Sequence, residues 1–319
     1  MTFSKIKWEK LHETCGKDPY QSLEWAQINE SLGSKPKFIF IEDKDNNYSS
    51  GLLYFEEEKN FFGLKRKRLT AEGFPLFTTK ESADRLLKEF KKRSYKSLFA
   101  YIKPLNAERS NIFKKAKMVP DMYHTIIIDL TKPLEILWKE TEKKSARWGV
   151  KKSRKEGIKI EKVNNKEDLL EFYKTYKETA KAGEFDPLPF EFFNKFYELM
   201  HGSLGYILVA KKDNTVIGGS LLVNSNKYMR LRIQASSRNH MHNQPSSALY
   251  WAAIEFAKEK GFQYFDLGGY GKYAAKDSKS GKVSRFKKGF GGEVVECPTY
   301  YYGQLYIGIK KIKNYFRRR

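Results

Sequence analysis

Two stretches of this chain align with each other without a gap. FIFIEDKDNNYSSGLLYF occupies 38–55 and YILVAKKDNTVIGGSLLV occupies 206–223. Phe38, Ile39, Phe40 and Ile41 fall against Tyr206, Ile207, Leu208 and Val209, Asp45-Asn46 against Asp213-Asn214, and Gly51 against Gly219. Each copy is an apolar run, a polar Asp-Asn turn and a second apolar run, the pattern of a β-hairpin. Two copies do not make a solenoid, whose units stack on one another in series. They point instead to two related domains, for which 319 residues are sufficient.

The segments around the two hairpins follow a similar order. In the second half, GIKIEKV (157–163) reads as a strand. KEDLLEFYKTYKETAKA reads as an amphipathic helix, with Leu169, Phe172, Tyr173 and Tyr176 at helical spacing. A further helix follows, with Pro189 at its start and Gly202 at its end, and then the hairpin and the strand KYMRLRIQASS. PSSALYWAAIEFAKEKG is a helix closed by Gly261, and FQYFDLGG one more strand. The order is β-α-α-β-β-β-α-β. In the first half, SLEWAQINESLG reads as a helix before the hairpin, followed by the strand RKRLTA, the helix ESADRLLKEFKKR and the strand SLFAYIKP. A long basic helix is expected after Pro133, at the division between the halves, and 302–319 reads as a closing amphipathic segment.

Apolar residues make up 40% of the chain and aromatics 15%, ample for buried cores. The formal net charge of +23 fits polyanionic partners, such as nucleic acid, an anionic membrane surface or phosphorylated substrates; charge spread for solubility is the plainer reading. Cys15 and Cys297 sit in no motif, which argues against a disulfide scaffold or a Cys-based zinc site and suits the cytoplasm. No apolar run approaches the ~18–20 residues needed to cross a bilayer, and the start has no signal-peptide core.

Four patterns in this order carry a resemblance: QSLEW (21–25), ARWGVKKSRKEGI opening the second half, NQPSSALYWAAIEFAKEKGFQYFDLGG, and RFKKGFGG near the end. The chain resembles, over essentially its whole length, the FemABX family, which moves amino acids from aminoacyl-tRNA onto peptidoglycan precursors. The resemblance implies an α/β (α+β) fold of two tandem GNAT-like, acetyltransferase-type domains, each a mixed, mostly antiparallel sheet flanked by helices. The expected division is 1–132, joined by 302–319, and 133–301, the latter carrying the transfer site.

Other motifs fail on their surroundings. GYGKYA (269–274) matches a dinucleotide pattern, but the segment after it is polar and lacks an apolar helical face. GKVS (281–284) has the wrong spacing for a phosphate loop: Lys276 stands where Gly is required, and Val283 at the Ser/Thr position after Gly-Lys. His240 and His242 have no carboxylate or thiolate beside them and read as a solvated loop; His12, His124 and His201 are scattered. Neither a metal nor a cofactor is expected. An acyl-CoA enzyme of this fold needs backbone N–H groups on a glycine-rich turn before the helix after the fourth strand. Here 236–248 contains no glycine, and Pro245 has no N–H.

The loop 272–288 sets Phe286 and Phe290 among Arg285, Lys287 and Lys288, charge for phosphates and a flat ring for an unpaired base. The core alternative has both phenylalanines ending a strand, with Phe290 the more apt for it. By the resemblance, Phe286 faces the terminal adenosine and Lys287 is the catalytic cation beside the ester; Arg285 and Lys288, the charges next to them, are candidates for binding the aminoacyl-tRNA. Gly289, Gly291 and Gly292 read as a turn into a last strand, EVVECPTYYY. Arg147, Lys151, Arg230 and Arg232, by position, and Tyr270 are candidates for binding a nucleotide- or lipid-linked cell-wall precursor. Asn29 stands where several relatives carry a lysine for that precursor's phosphates, which leaves the acceptor more open than the donor. A cytoplasmic monomer is expected, with the tail 310–319 able to touch an anionic membrane. Two other readings remain: a GNAT N-acyltransferase using acyl-CoA or acyl-carrier protein, and a non-enzymatic protein binding RNA or an anionic surface.

Overall fold

The computed structural model describes residues 3–61, 64–95, 97–104, 111–200 and 204–303. They form two compact units: one runs to Tyr123 and resumes at Glu296, and the other is His124–Val295.

In the first unit, α1 (Lys5–Thr14) and α2 (Leu23–Glu30) precede the hairpin of β1 (Lys35–Glu42) and β2 (Tyr48–Phe61). β3 (Leu64–Glu72), the short β4 (Leu76–Phe77), α3 (Lys80–Ser94), β5 (Ser97–Lys103), α4 (Asn111–Lys115) and β6 (Val119–Asp121) follow. Ala83, Leu86, Leu87 and Phe90 put one face of α3 against Ile39, Leu52, Leu69 and Ile102 of the sheet. Gln21, at the head of the QSLEW stretch, is fully buried. Its amide donates to Glu72 O (2.7 Å) and Leu53 O (3.2 Å) and accepts from Leu53 N (2.7 Å), so the start of α2 is stitched to β2 and the end of β3.

In the second unit, β7 (His124–Asp129) leads to α5 (Leu134–Glu140), a π-helical turn (Lys143–Arg147) and α6 (Trp148–Lys155). β8 (Lys159–Lys162), α7 (Lys166–Gly183), α8 (Phe190–Leu199), β9 (Gly205–Lys212), β10 (Thr215–Ser225) and β11 (Tyr228–Ser236) come next. A 3-10 turn (Arg238–Asn243), α9 (Pro245–Glu259), β12 (Tyr264–Gly269), α10 (Lys279–Lys288) and β13 (Glu293–Glu296) complete it. The strand order is β13-β7-β12-β11-β10-β9-β8. α9 covers one face through Leu249, Ala253, Ile254 and Ala257, and α7 packs on the other. Neighbouring residues of β10 mark the two faces: a Cβ on Gly218 would touch Leu249, and one on Gly219 would lie 2.4 Å from the Phe172 ring. The chain then returns to the first unit as β14 (Thr299–Tyr302), antiparallel to β5 and β6.

The duplication is visible in the packing. Gly51, the counterpart of Gly219, stands in the same relation to an aromatic ring: a Cβ there would lie 2.5 Å from Trp8 of α1. Both hairpins carry a bulge at the same aligned position, with Ser49 and Ile217 skipped in the pairing. Their turns differ. Asp213 and Asn214 close the second hairpin alone, both at positive φ (49° and 62°), as a type I′ turn requires. The first closes through the longer loop 43–47, which slides its pairing by one residue.

Four readings of local structure change. The second unit starts at His124, before the division at 132, because β7 pairs with β12, and the return begins at Glu296 rather than 302. The basic segment after Pro133 is α5, a π turn and α6. The helix breaks at Thr141 (ψ 134°), and Glu142 N then donates to Gly289 O. EVVECPTYYY is two strands of different sheets, divided at Cys297-Pro298, where proline removes a ladder donor. The loop 272–288 ends in the helix α10. Ser278 caps it by accepting from Gly281 N (3.1 Å); Phe286 lies on the helix and meets Phe290, in the turn just after it, edge-on. The paired glycines masked that helix. Residues 304–319, His201 and Gly202 lie outside the described residues.

Candidate functional site

β11 and β12 are parallel neighbours for three rungs only, Tyr228↔Tyr264, Met229↔Phe265 and Arg230↔Asp266. Beyond Arg230, β11 continues to Ser236 against β10, while β12 turns through Gly268 (φ 75°) to Gly269. The two strands part, and a cleft opens in the sheet. The corresponding parallel pair of the first unit, β3 and β5, stays in register to Glu72↔Lys103. At the mouth of the second unit's cleft β11 carries a bulge: Leu221 faces Ile233 and Leu222 faces Leu231, which makes Arg232 the extra residue.

Asp266 is 3% exposed on the cleft face of β12. Arg230 Nε lies 3.3 Å from its Oδ2, and its Oδ1 accepts from Gly268 N (2.8 Å) and from the Thr125 hydroxyl of β7. Both oxygens of this buried carboxylate are answered, which is what makes a charge tolerable there. Lys287 reaches the same place from α10. Its Nζ donates to Gly269 O (3.0 Å), and a Cβ on Gly268 would lie 3.6 Å from it. Burial pulls the Lys287 ammonium down to about 8; Asp266 opposes the fall and Arg230 adds to it.

α10 is seated by the loop before it. Ser284 Oγ accepts from Gly271 N (2.9 Å), Arg285 Nη2 donates to Lys276 O (2.8 Å), and Gly281 lies so close to Ala275 O that a Cβ would come within 2.1 Å. Arg285 therefore ties the loop to the helix. Lys288 donates to Gly292 O and fixes the turn after α10, where Gly291 and Gly292 have φ of 90° and 76°. Phe286 is half-buried, edge-on to Tyr250 (5.3 Å, 90°) and to Phe290 (5.4 Å, 70°). Phe290 is buried and stacks on Tyr250, whose hydroxyl burial pushes up. Both phenylalanines thus belong to the packing of a helix, Phe286 at its edge.

The structure joins Lys287 and Arg230 at one place, with Arg232 on the bulge two residues along from Arg230. Tyr270 follows β12 and donates its N–H to His124 O (2.8 Å). Arg147 ends the π turn, and Lys151 is exposed on α6. Asp266, Thr125 and the Gly269 carbonyl are the parts not singled out from sequence. The available signal was an aspartate inside an apolar strand, FQYFDL, which must find a partner if buried. Before α9, residues 238–243 form a 3-10 turn, Gln244 is left-handed (φ 60°), and Ser236 Oγ meets Ser246 Oγ at 2.7 Å. Among the described residues no group of histidine, cysteine and carboxylate side chains could hold a metal, and no helix is long and apolar enough to cross a membrane.

Residues 142–287 match the acetyltransferase (GNAT) domain family. Two GNAT-like units in one chain make this a tandem GNAT-fold protein. More particularly, its fold is FemABX-like: the structure of FemX superposes with a TM-score of 0.77 at 16% identity, covering 98% of this chain and 99% of that one. The C-terminal domain of a putative lysylphosphatidylglycerol synthetase from Agrobacterium fabrum gives 0.65 at 11% identity (97% and 94% covered). L-PGS from Bacillus licheniformis gives 0.63 at 13% identity (99% and 97%). No curated protein sequence matches the chain.

Proposed function

We propose that this protein transfers an aminoacyl group from aminoacyl-tRNA to an amine of a cell-wall peptide precursor, forming a peptide bond. The observation that carries the reading is Lys287, a half-buried lysine held on Gly269 O at the mouth of the β11–β12 cleft. Two facts support it. The segment before α9 is a glycine-free 3-10 turn rather than a glycine cradle for a pyrophosphate, which favours charged tRNA over acyl-CoA. The fold is also shared with FemX and with a protein named for lysylphosphatidylglycerol synthesis.

The donor ester is already activated, so no protein nucleophile is needed; the site must place two substrates and stabilise an oxyanion. The acceptor amine attacks the ester carbonyl, a C–N bond forms, and Lys287 in its ammonium form faces the developing O⁻. The C–O bond to the terminal ribose then breaks, and the proton lost by the amine ends on the ribose oxygen. Arg147, Lys151 and Arg232 are the cations offered for the acceptor's phosphates; Arg230 faces Asp266 and acts through it. Phe286 offers its ring as a stacking surface for the terminal base, and Arg285 and Lys288 set the shape of the α10 ends that meet the tRNA.

The test is a reaction of purified protein with mixed aminoacyl-tRNAs and a panel of nucleotide-linked and lipid-linked acceptors, read by mass spectrometry. Product is expected with charged tRNA and not with uncharged tRNA. Transfer from acetyl-CoA in place of charged tRNA would overturn the reading, and binding that tracks salt without product from any donor would reduce the protein to a polyanion binder.

A further inference from the structure

Carboxylates are seldom buried in strands without a task or a partner. Asp266 lies between Phe265 and Leu267, both fully buried against α9, and points to the opposite face. There the sheet brings two cations to one cleft, Arg230 from β11 and Lys287 from α10. We propose that Asp266 is the positioning residue of this cleft: clamped by Thr125, the Gly268 amide and Arg230, its carboxylate is the counter-charge that lets Arg230 and Lys287 stand together where β11 and β12 part. This inference rests on reading Lys287 as the transfer-site cation.

The charges that act on Lys287 come from two strands, Asp266 on β12 and Arg230 on β11. On α10 itself, Arg285 and Lys288 are turned to Lys276 O and Gly292 O. The nearby titratable groups of β7 and the β12 turn are His124, whose ring meets Tyr273 edge-on, and Tyr270, held by its backbone to His124 O. On α9 the facing groups are apolar or the buried Tyr250. Removing Asp266 takes away the anion that holds the Lys287 proton while Arg230 still opposes it, and Lys287 must then give up its proton more readily. Removing Arg230 instead leaves Asp266 to Lys287 alone, and the ammonium holds its proton more tightly. A purely structural role for the pair would not move Lys287's titration in opposite directions.

The experiment needs no donor or acceptor. The rate at which an amine-acylating reagent modifies Lys287 is followed against pH by peptide mass spectrometry, in the full chain, with circular dichroism as the check on folding. In Asp266→Asn the midpoint moves down, so that labelling at pH 7 is about three-fold faster or more, the factor set by about half a decade in the proton equilibrium. In Arg230→Met it moves up. Arg230→Met carries the test if Asp266→Asn does not fold. Midpoints that stay at the wild-type value, or move together, overturn the proposal. Opposed shifts without transfer from any aminoacyl-tRNA leave Asp266 its role and sink the functional reading; transfer with unmoved midpoints does the reverse.

Discussion

Arg230 and Asp266 are register partners on β11 and β12 and are joined again through their side chains at 3.3 Å. They form the last rung before the strands separate, so the cleft begins at an ion pair. Among the described residues, the parallel pair of the first unit, β3 and β5, keeps its backbone pairing on to Glu72↔Lys103. Lys287 of α10 reaches the Arg230–Asp266 rung through its hydrogen bond to Gly269 O.

Lys287→Met should lower turnover by about 10²-fold or more if the ammonium faces an oxyanion, as measured by single-turnover transfer. The same change should stabilise the protein. Lys287 titrates at about 8 in the folded state against an ordinary lysine value of 10.5. Below pH 8 the ionised amine therefore costs the folded state, and the cost is relieved as pH rises from 8 to 10.5, where the unfolded chain binds more protons. We expect Lys287→Met to be more stable by about 1–3 kcal/mol at pH 7 after allowance for partial solvation. The advantage should fade by pH 10.5, as read by thermal melts across that range.

Phe286→Leu separates packing from stacking. Leucine keeps most of the volume against Tyr250 and Phe290, so the melting temperature should fall little, in line with a cost of about 1 kcal/mol. Loss of a stacking surface worth ~1–3 kcal/mol should raise KM for charged tRNA about ten-fold or more with kcat retained. Unchanged KM would leave Phe286 as a packing residue.

Gly281→Ala places a methyl group 2.1 Å from Ala275 O, a backbone atom that cannot rotate away. The loop 270–278 must then lift from α10 and break the Ser284–Gly271 and Arg285–Lys276 bonds. Faster tryptic cleavage at Lys276 and faster amide exchange in α10 are expected, together with a fall in turnover.

Gln21→Ala leaves the Leu53 amide and two carbonyls without their buried partner. At about 1–3 kcal/mol for an unsatisfied buried group, a total loss of about 2–4 kcal/mol is expected, seen as a lower urea midpoint. Activity at a temperature where the variant is folded should be near wild type, since this member of the QSLEW motif is a structural pin.

The hairpins, the helix–strand order of both halves and the two-domain plan were legible because each rests on short-range regularities: alternation in strands, helical spacing on α3, α7 and α9, and Asp-Asn at turns. α10 was not, because Gly281, Gly289, Gly291 and Gly292 read as loop residues. Three of them do serve close approach or positive φ around the helix ends, while Phe286 on the helix and Phe290 in the turn after it pack against Tyr250. Lys287 was legible as a residue type in a motif, and its partners were not. Asp266 lies 21 positions before it and Arg230 a further 36, separations that no local pattern spans.

By itself the sequence determined that the chain is duplicated, which segments form its strands and principal helices, and that it is strongly basic, with basic residues around Phe286. Only the tertiary structure decided that β11 and β12 part after Arg230 and Asp266, that the first unit's equivalent stays closed, and that Lys287 is half-buried beside a paired carboxylate. Propensity and periodicity act over a few residues, whereas the length of a parallel pairing and the desolvation of an amine depend on what distant segments pack around them.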